Sequence, residues 1–337
     1  MKKHAHLGRP VSVLVALALG STMLLGLAPA ASASAGAGQF IVETDFSTGG
    51  APGCALGTDT SDSGQAAFAT DGVGLSGALS SVATVEDAGD VADDTTMTAK
   101  SSGKVRATEA DGSLNTLVLT TALSASVVAA QGLTSDCDSD ASAMSGVQTF
   151  FTLAEAGWVT LHGAARGGVL QATLIDQTAS HGTVVMSVGL KTEQTRQFFL
   201  PAGTYLALAI FDLGVATPSA VGDPTSAVGG GSYSLDFTPA GGATGPATGT
   251  GKKFVRLDAA RACGAGSVAG SFTSKASKVV KATFFVNGKK KKTITDPSGG
   301  TDVVLRGLAD ASTAVVTVAI QLTQGKATLR RVYVSCS

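Results

Sequence analysis

The sequence predicts an all-β fold: a large jelly-roll-like β-sandwich joined by a Gly/Pro/Thr linker to a small Ig-like β-sandwich. Runs rich in Thr, Val and Leu recur between Gly, Asp and Ser turn signals, a pattern typical of sandwiches and barrels. Almost no segment has an uninterrupted helical period. Residues 239–251 contain no charged and no large apolar side chain, so they predict a flexible linker between two domains.

Residues 1–35 are typical of a secretory signal peptide. Basic residues at positions 2, 3 and 9 precede an apolar stretch, and two small-x-small cleavage motifs end at Ala33 and Ala35. The apolar stretch contains Gly and is shorter than the roughly 20 residues that a membrane-spanning helix needs. We therefore expect a secreted, extracellular protein whose mature chain has no transmembrane segment; an uncleaved anchor is the alternative.

Residues 39–238 are predicted to form the large sandwich. The clearest strand patterns are Thr149–Leu153, Trp158–Gly163, Val169–Ile175, Thr183–Leu190, Arg196–Leu200, Thr204–Leu213 and Ser232–Thr238. The weaker patterns upstream are Phe40–Thr44, Ser80–Val85, Lys104–Thr108, Leu114–Thr121 and Ser124–Ala130. Because the upstream strands lack an aromatic core of their own, we expect one sandwich rather than two domains.

Residues 252–337 are predicted to form the small sandwich. Val279–Val286 runs into an Asn-Gly pair and then into Lys289–Ile294. An Asn-Gly pair between two strand patterns is the strongest short hairpin signal, because both central residues must take positive φ. A second hairpin combines Thr313–Thr323 with Lys326–Val334 across a Gln-Gly pair.

The chain has four cysteines: Cys54, Cys137, Cys263 and Cys336. An even number in an exported chain favours disulfides, and four cysteines allow three pairings. The linker leaves two on each side, so pairing within domains gives Cys54–Cys137 and Cys263–Cys336. Four buried thiols are the alternative, and a zinc site is disfavoured because no C-x-x-C pair occurs.

The two predicted domains carry opposite charge. Residues 252–337 contain ten Lys, five Arg, four Asp and no Glu, a net charge of +11. Residues 36–251 contain six basic and 21 acidic residues, a net charge of −15. A basic domain is suited to an anionic cell-wall polymer or to another envelope protein. Attraction between the two halves, or a simply solvated surface, explains the same asymmetry.

Residues 147–238 resemble the pre-peptidase C-terminal-like sandwiches and the jelly-roll ectodomains of secreted bacterial proteins. The resemblance is carried by three segments: Phe150–Leu161, Leu200–Leu208 with its Pro-Ala-Gly-Thr-Tyr turn, and Gly231–Phe237. It implies an accessory or adhesive role more often than catalysis, and fold alone does not fix function.

Residues 252–337 resemble small Ig-like modules of actinobacterial exported proteins. The resemblance is carried by Val286–Lys289 and by the ending Arg331–Cys336. It implies the same kind of accessory or adhesive role.

The sequence contains little that predicts catalysis. The mature chain has two histidines, His162 and His181, and neither a G-x-S-x-G nor an H-E-x-x-H motif. We therefore expect a non-enzyme: a secreted or envelope-associated binding or structural protein. The alternative is a hydrolase, or an enzyme accessory domain, that uses a pair of carboxylates.

Acidic residues suggest one metal site. Asp136, Asp138 and Asp140 stand at alternate positions, and Asp59 and Asp62 form a similar but less complete pattern. A Cys54–Cys137 bond would bring the two predicted loops together, and Ca²⁺ takes six to eight oxygen ligands. We predict a calcium-stiffened loop cluster, with no other cofactor; a solvated acidic turn is the alternative.

Four consecutive lysines, Lys289, Lys290, Lys291 and Lys292, follow the Asn-Gly pair. Lysines on a hairpin protect an edge strand from pairing with another chain, and a surface that binds an anionic partner is the second interpretation. Nucleic acid is not expected as a partner, because aromatic stacking platforms are absent and the chain is exported.

Overall fold

A computed structural model describes residues 38–50, 53–87, 95–128, 137–177, 183–190, 193–217 and 225–337. These residues form β-strands with two short 3-10 turns and no α-helix, so the predicted all-β class is confirmed. The predicted signal peptide lies outside them. Within the described part of the chain, no helix is long and apolar enough to cross a membrane.

Thirteen strands build the large sandwich. They are β1 (Gly38–Gly50), β2 (Cys54–Asp59), β3 (Asp62–Phe68), β4 (Leu75–Asp87), β5 (Thr95–Ala110), β6 (Ser113–Val128), β7 (Cys137–Leu153), β8 (Gly157–Arg166), β9 (Val169–Asp176), β10 (Thr183–Leu190), β11 (Gln194–Leu200), β12 (Gly203–Thr217) and β13 (Thr225–Pro239).

Two antiparallel sheets face each other across one core. The six-stranded sheet has the order β10-β9-β12-β7-β1-β3, and the seven-stranded sheet has the order β11-β8-β13-β6-β5-β4-β2. Strands from both ends of the segment therefore lie in each sheet and share one hydrophobic cluster. Hydroxyl groups also join the sheets: Thr44 and Ser81 are hydrogen-bonded at 2.6 Å, and Ser101 donates to the carbonyl oxygen of Met144.

The Pro-Ala-Gly-Thr-Tyr turn that leads into β12 is fixed by a buried tyrosine. The Tyr205 hydroxyl donates to the carbonyl oxygen of Pro201 at 2.9 Å, and its ring stacks on Phe151. Such a backward bond from a tyrosine near the start of a strand is a known corner device of β-sandwiches. It fixes the direction in which β12 enters the six-stranded sheet.

Seven strands build the small sandwich. They are β14 (Val255–Leu257), β15 (Ser267–Phe272), β16 (Val279–Val286), β17 (Lys289–Thr295), β18 (Asp302–Arg306), β19 (Ala314–Leu322) and β20 (Lys326–Tyr333). Sheet β14-β15-β18 packs on sheet β17-β16-β19-β20 around a second core. Both predicted hairpins form, with positive φ at Asn287, Gly288 and Gly325.

Both predicted disulfides are confirmed. Cys54 is bonded to Cys137 in the large sandwich, and Cys263 is bonded to Cys336 in the small one. The described residues include no free cysteine. Each covalent link therefore closes a loop within one sandwich.

The segment predicted to be a flexible linker packs against the small sandwich. The backbone N–H groups of Thr244 and Thr248 donate to the carbonyl oxygens of Val332 and Arg330, so the segment runs along the outer edge of β20. Ala243 and Ala247 also pack against the core of the small sandwich. The prediction considered only large side chains, whereas small side chains and backbone groups make these contacts. Both sandwiches belong to one compact unit, Ala35–Ser337.

A tryptophan joins the two sandwiches beside this segment. The indole N–H of Trp158, on β8, donates to the carbonyl oxygen of Ser335 at 3.0 Å. The N–H of Gly241 donates to the same oxygen at 3.1 Å. The end of the small sandwich is thus tied to the large one through a single carbonyl group.

Candidate binding surfaces

The structure corrects the predicted acidic loop, because two of its aspartates lie on a strand. Asp138 and Asp140 belong to β7, whereas Asp136 lies outside the described residues. The intervening residues Cys137 and Ser139 are buried, so the two carboxylates share the outer face of the six-stranded sheet. The alternate spacing that resembled a calcium loop is the two-residue period of a β-strand.

The second pair of predicted ligands does not join the first. Asp62, on β3, lies opposite Thr44 of β1, whereas Asp140 lies opposite Ser47 on the other side of β1. Their Cα atoms are therefore roughly 14 Å apart by strand spacing and rise. Asp59 ends β2 in the opposite sheet, and the described residues contain no group of three metal-ligating side chains.

The acidic side chains make local contacts instead. The Ser47 hydroxyl donates to the Asp140 carboxylate at 3.3 Å. The Asp59 carboxylate accepts the Ser61 N–H, and the Asp62 carboxylate accepts the N–H of Ser63. These bonds stabilise strand ends and turns, which is a common role of aspartate.

Sequence reasoning missed a second pair of carboxylates on the same sheet face. Glu43 of β1 and Asp212 of β12 lie opposite the two sides of Met144, so their Cα atoms are about 10 Å apart. Burial raises the pKa of both carboxyl groups, and the negative charges of Asp45 and Asp212 raise the pKa of Glu43 further. No signal in the sequence identified them, because their proximity depends on the strand order.

The four predicted surface lysines lie on an edge strand. Lys289, Lys290, Lys291 and Lys292 are exposed on β17, which is the outermost strand of its sheet. Lys291 reaches the carbonyl oxygen of Gly307 at 3.4 Å. An exposed positive edge of this kind resists strand addition and is also available to an anionic partner.

His162 has polar neighbours that do not build a catalytic triad. Its Nδ1 lies 3.0 Å from the Thr195 hydroxyl, but its Nε2 lies 3.9 Å from the Glu193 carboxylate, beyond hydrogen-bonding distance. Glu193 is 75% exposed, so the base lacks the buried orienting acid that triad chemistry uses. His181 lies outside the described residues.

A trough on the outer face of the seven-stranded sheet was also missed. It is an open depression of about 560 Å³ that crosses β4, β5 and β6. Hydroxyl groups and small side chains line it, including Ser76, Ser102, Thr120 and Ala122, and Lys104 stands in its wall. The lining residues come from three consecutive strands and meet only through the strand register, so no local motif predicts the trough.

The comparisons with known proteins identify no family. No family model matches the chain, and no curated protein matches it. Among solved structures, similarity is found to a β-glucuronidase from Ruminococcus gnavus, with 8% identity, a TM-score of 0.19, and 57% of this chain and 35% of that one covered. A second similarity is found to the structure of infectious bursal disease virus Gx strain, with 13% identity, a TM-score of 0.16, and 90% of this chain and 60% of that one covered.

The chain spans less than two thirds of the length of both structural neighbours. These TM-scores are too low to assign a fold or a function to this chain.

Proposed function

We propose that this protein is a non-catalytic binding or structural protein that acts outside the cytoplasm. Its basic small sandwich would hold it against an anionic polymer of the cell envelope, and the large sandwich would be the displayed domain. The observation that carries this proposal is the exposed lysine edge, Lys289–Lys292, within a domain of net charge +11. Two disulfides support an oxidising, extracellular environment.

A sedimentation assay with isolated bacterial cell walls tests the proposal. The full chain should sediment with walls that carry anionic polymer, and binding should fall steeply as salt screens the charges. Walls stripped of the polymer by acid should bind much less. Binding that does not depend on ionic strength, or that survives stripping, contradicts the proposal.

Two charge-matched variants locate the contact. The first replaces Lys289, Lys290, Lys291 and Lys292 with Gln. The second replaces four exposed lysines elsewhere on the small sandwich: Lys253, Lys275, Lys278 and Lys326. The first should weaken wall binding more than the second. Equal losses would assign binding to net charge instead of the edge.

Glu43 and Asp212 favour one alternative, a carboxylate-dependent hydrolase. Both are partly buried, both have a raised pKa, and both lie on one sheet face. Glycoside hydrolysis uses two carboxyl groups, one kept protonated by a raised pKa and one ionised. The test is hydrolysis of a panel of polysaccharides by the full chain. If the chain hydrolyses one of them, and both Glu43→Gln and Asp212→Asn abolish that activity, a hydrolase replaces our proposal.

The calcium site and the family resemblances stay predictions. Titration calorimetry of the full chain with Ca²⁺ tests the site at Asp136, Asp138 and Asp140. Binding heat that disappears in Asp138→Asn would support it, and the absence of heat would contradict it.

A further inference from the structure

The basic residues of the large sandwich are segregated onto one of its two sheets. None of the six strands β1, β3, β7, β9, β10 and β12 contains Lys or Arg. The five described basic residues of this acidic domain all lie on the seven-stranded sheet: Lys100, Lys104, Arg106, Arg166 and Arg196. Uniform solvation would not separate the charges in this way.

One of these cations, Lys104, lines the trough, and two others lie beside it on the same outer face. Lys100 and Lys104 are exposed on β5, where the alternating residues Ala99 and Val105 are buried in the core. Arg166 is exposed on β8 and shares a cross-strand row with Ser102, which lines the trough. Arg166 lies three strand spacings from β5, or roughly 14 Å.

A row of glycines lies on the inner side of the sheet that carries the trough. Gly77, Gly103 and Gly231 lie in one cross-strand row and face the core. A Cβ atom on Gly103 would lie 3.1 Å from the ring of Phe40, and one on Gly231 would lie 2.7 Å from the ring of Phe211. The glycines therefore make room for these rings beneath the trough.

We propose that this trough binds one extended anionic polymer chain that carries carboxylate or phosphate groups. The ligand lies across β4, β5 and β6 and continues over β13 towards β8, with its charges paired to Lys100, Lys104 and Arg166 and its polar groups facing the hydroxyls of Ser102 and Thr120. The trough is about two strand spacings wide, roughly 10 Å, which admits a single chain.

A second copy of the protein fits this trough less well. It would have to present its acidic six-stranded sheet, which is about 24 Å across by strand spacing. A face of that width cannot enter the trough. The inference shares the ligand class of the proposed function but uses different residues, so the two can fail separately.

The test measures binding of the full chain to two labelled probes, polygalacturonate for carboxylate and linear polyphosphate for phosphate, with neutral dextran as control. The trough variant is Lys100→Gln with Lys104→Gln and Arg166→Gln. It should bind the preferred probe about tenfold more weakly, because each exposed ion pair contributes a factor of roughly two to five. The matched control, Lys275→Gln with Lys278→Gln and Lys326→Gln, makes the same change in charge at exposed positions outside both the trough and the lysine edge.

A second variant separates the trough from net charge. Ala122→Phe fills the trough without changing any charge, at an exposed strand position where an aromatic residue is well tolerated. It should weaken binding at least fivefold and leave the melting temperature unchanged.

Three results would overturn the inference. They are unchanged affinity in the trough variant, equal loss in the trough and control variants with no effect of Ala122→Phe, and salt-dependent self-association without polymer binding. If the variant that replaces Lys289, Lys290, Lys291 and Lys292 with Gln alone loses binding, the trough proposal fails and the proposed function stands. If neither probe nor cell walls bind the unmodified chain, both fail.

Discussion

Removing the disulfide of the small sandwich should cost a large part of that domain's stability. The bond closes a loop with a sequence separation of 73 residues. In the chain-entropy model this constraint destabilises the unfolded state by about 4.4 kcal/mol. A domain of 86 residues has a total stability of roughly 4–13 kcal/mol. The double variant Cys263→Ala with Cys336→Ala should therefore lose between about a third and all of that stability.

This disulfide isolates the entropic effect, because neither of its cysteines is buried in the core. By contrast, Cys137 is only 4% exposed and belongs to the core of the large sandwich, so its removal also leaves a cavity. Losing the Cys54–Cys137 bond should therefore cost more than its loop entropy of about 4.6 kcal/mol.

Guanidinium denaturation followed by circular dichroism and by Trp158 fluorescence measures both losses. Trp158 is the only tryptophan and donates to Ser335, next to Cys336, so its emission reports on the junction. The loss of unfolding free energy that reductant causes in the unmodified protein should equal the sum of the losses in the two double variants. A loss below about 1 kcal/mol for the Cys263–Cys336 pair would refute the entropic reasoning, and peptide mapping that links the two halves would refute the pairing.

Three further predictions concern single residues of the large sandwich, each measured by denaturation with the unmodified chain as control. Tyr205→Phe removes the hydrogen bond to Pro201 and should lower the free energy of unfolding by about 1 kcal/mol. Little or no change would show that this bond is dispensable. Gly231→Ala places its Cβ 1.9 Å from the carbonyl oxygen of Ala164, so it should destabilise strongly; a neutral result would contradict the close approach. Because burial raises the pKa of Asp212, the folded state binds its proton more tightly than the unfolded state does, and stability falls as pH rises from the ordinary aspartate pKa through the raised value. Asp212→Asn should remove that fall, so the variant is the more stable protein at neutral pH and the difference disappears in acid; equal stability at both pH values would contradict it.

Local chemistry predicted the small sandwich well. The Asn287-Gly288 turn and the strand patterns on either side of it specify a hairpin without help from the rest of the fold. The cysteine pairing was predictable for a similar reason, because the uncharged stretch near residue 245 divides the cysteines into two pairs.

The first half of the large sandwich was harder to predict, because its inward residues are small. On β7 the buried side chains include Cys137, Ser139, Ala141, Ala143 and Ser145, none of which marks a strand by its own propensity. They fit because bulkier side chains from other strands fill the core. Tertiary packing, which the linear sequence does not display, decides the structure here.

The candidate sites depend even more on tertiary arrangement. Carboxylate spacing along the chain suggested a loop where the structure has a strand. The trough, in contrast, is assembled from Ser76, Lys104 and Thr120 on three strands, and only their register brings them into one row. Strand order and register are therefore the missing information in a sequence-based search for such sites.

The segment that runs beside β20 decides where the molecule can be divided. A truncated chain that starts at Lys252 would lose the backbone partners of Val332 and Arg330 and expose the edge of β20 to pairing between molecules. One that starts at Ala240 would keep that edge covered. The lower limit for producing the small sandwich by itself is therefore set by a ribbon of Gly, Ala and Thr that composition alone would discard.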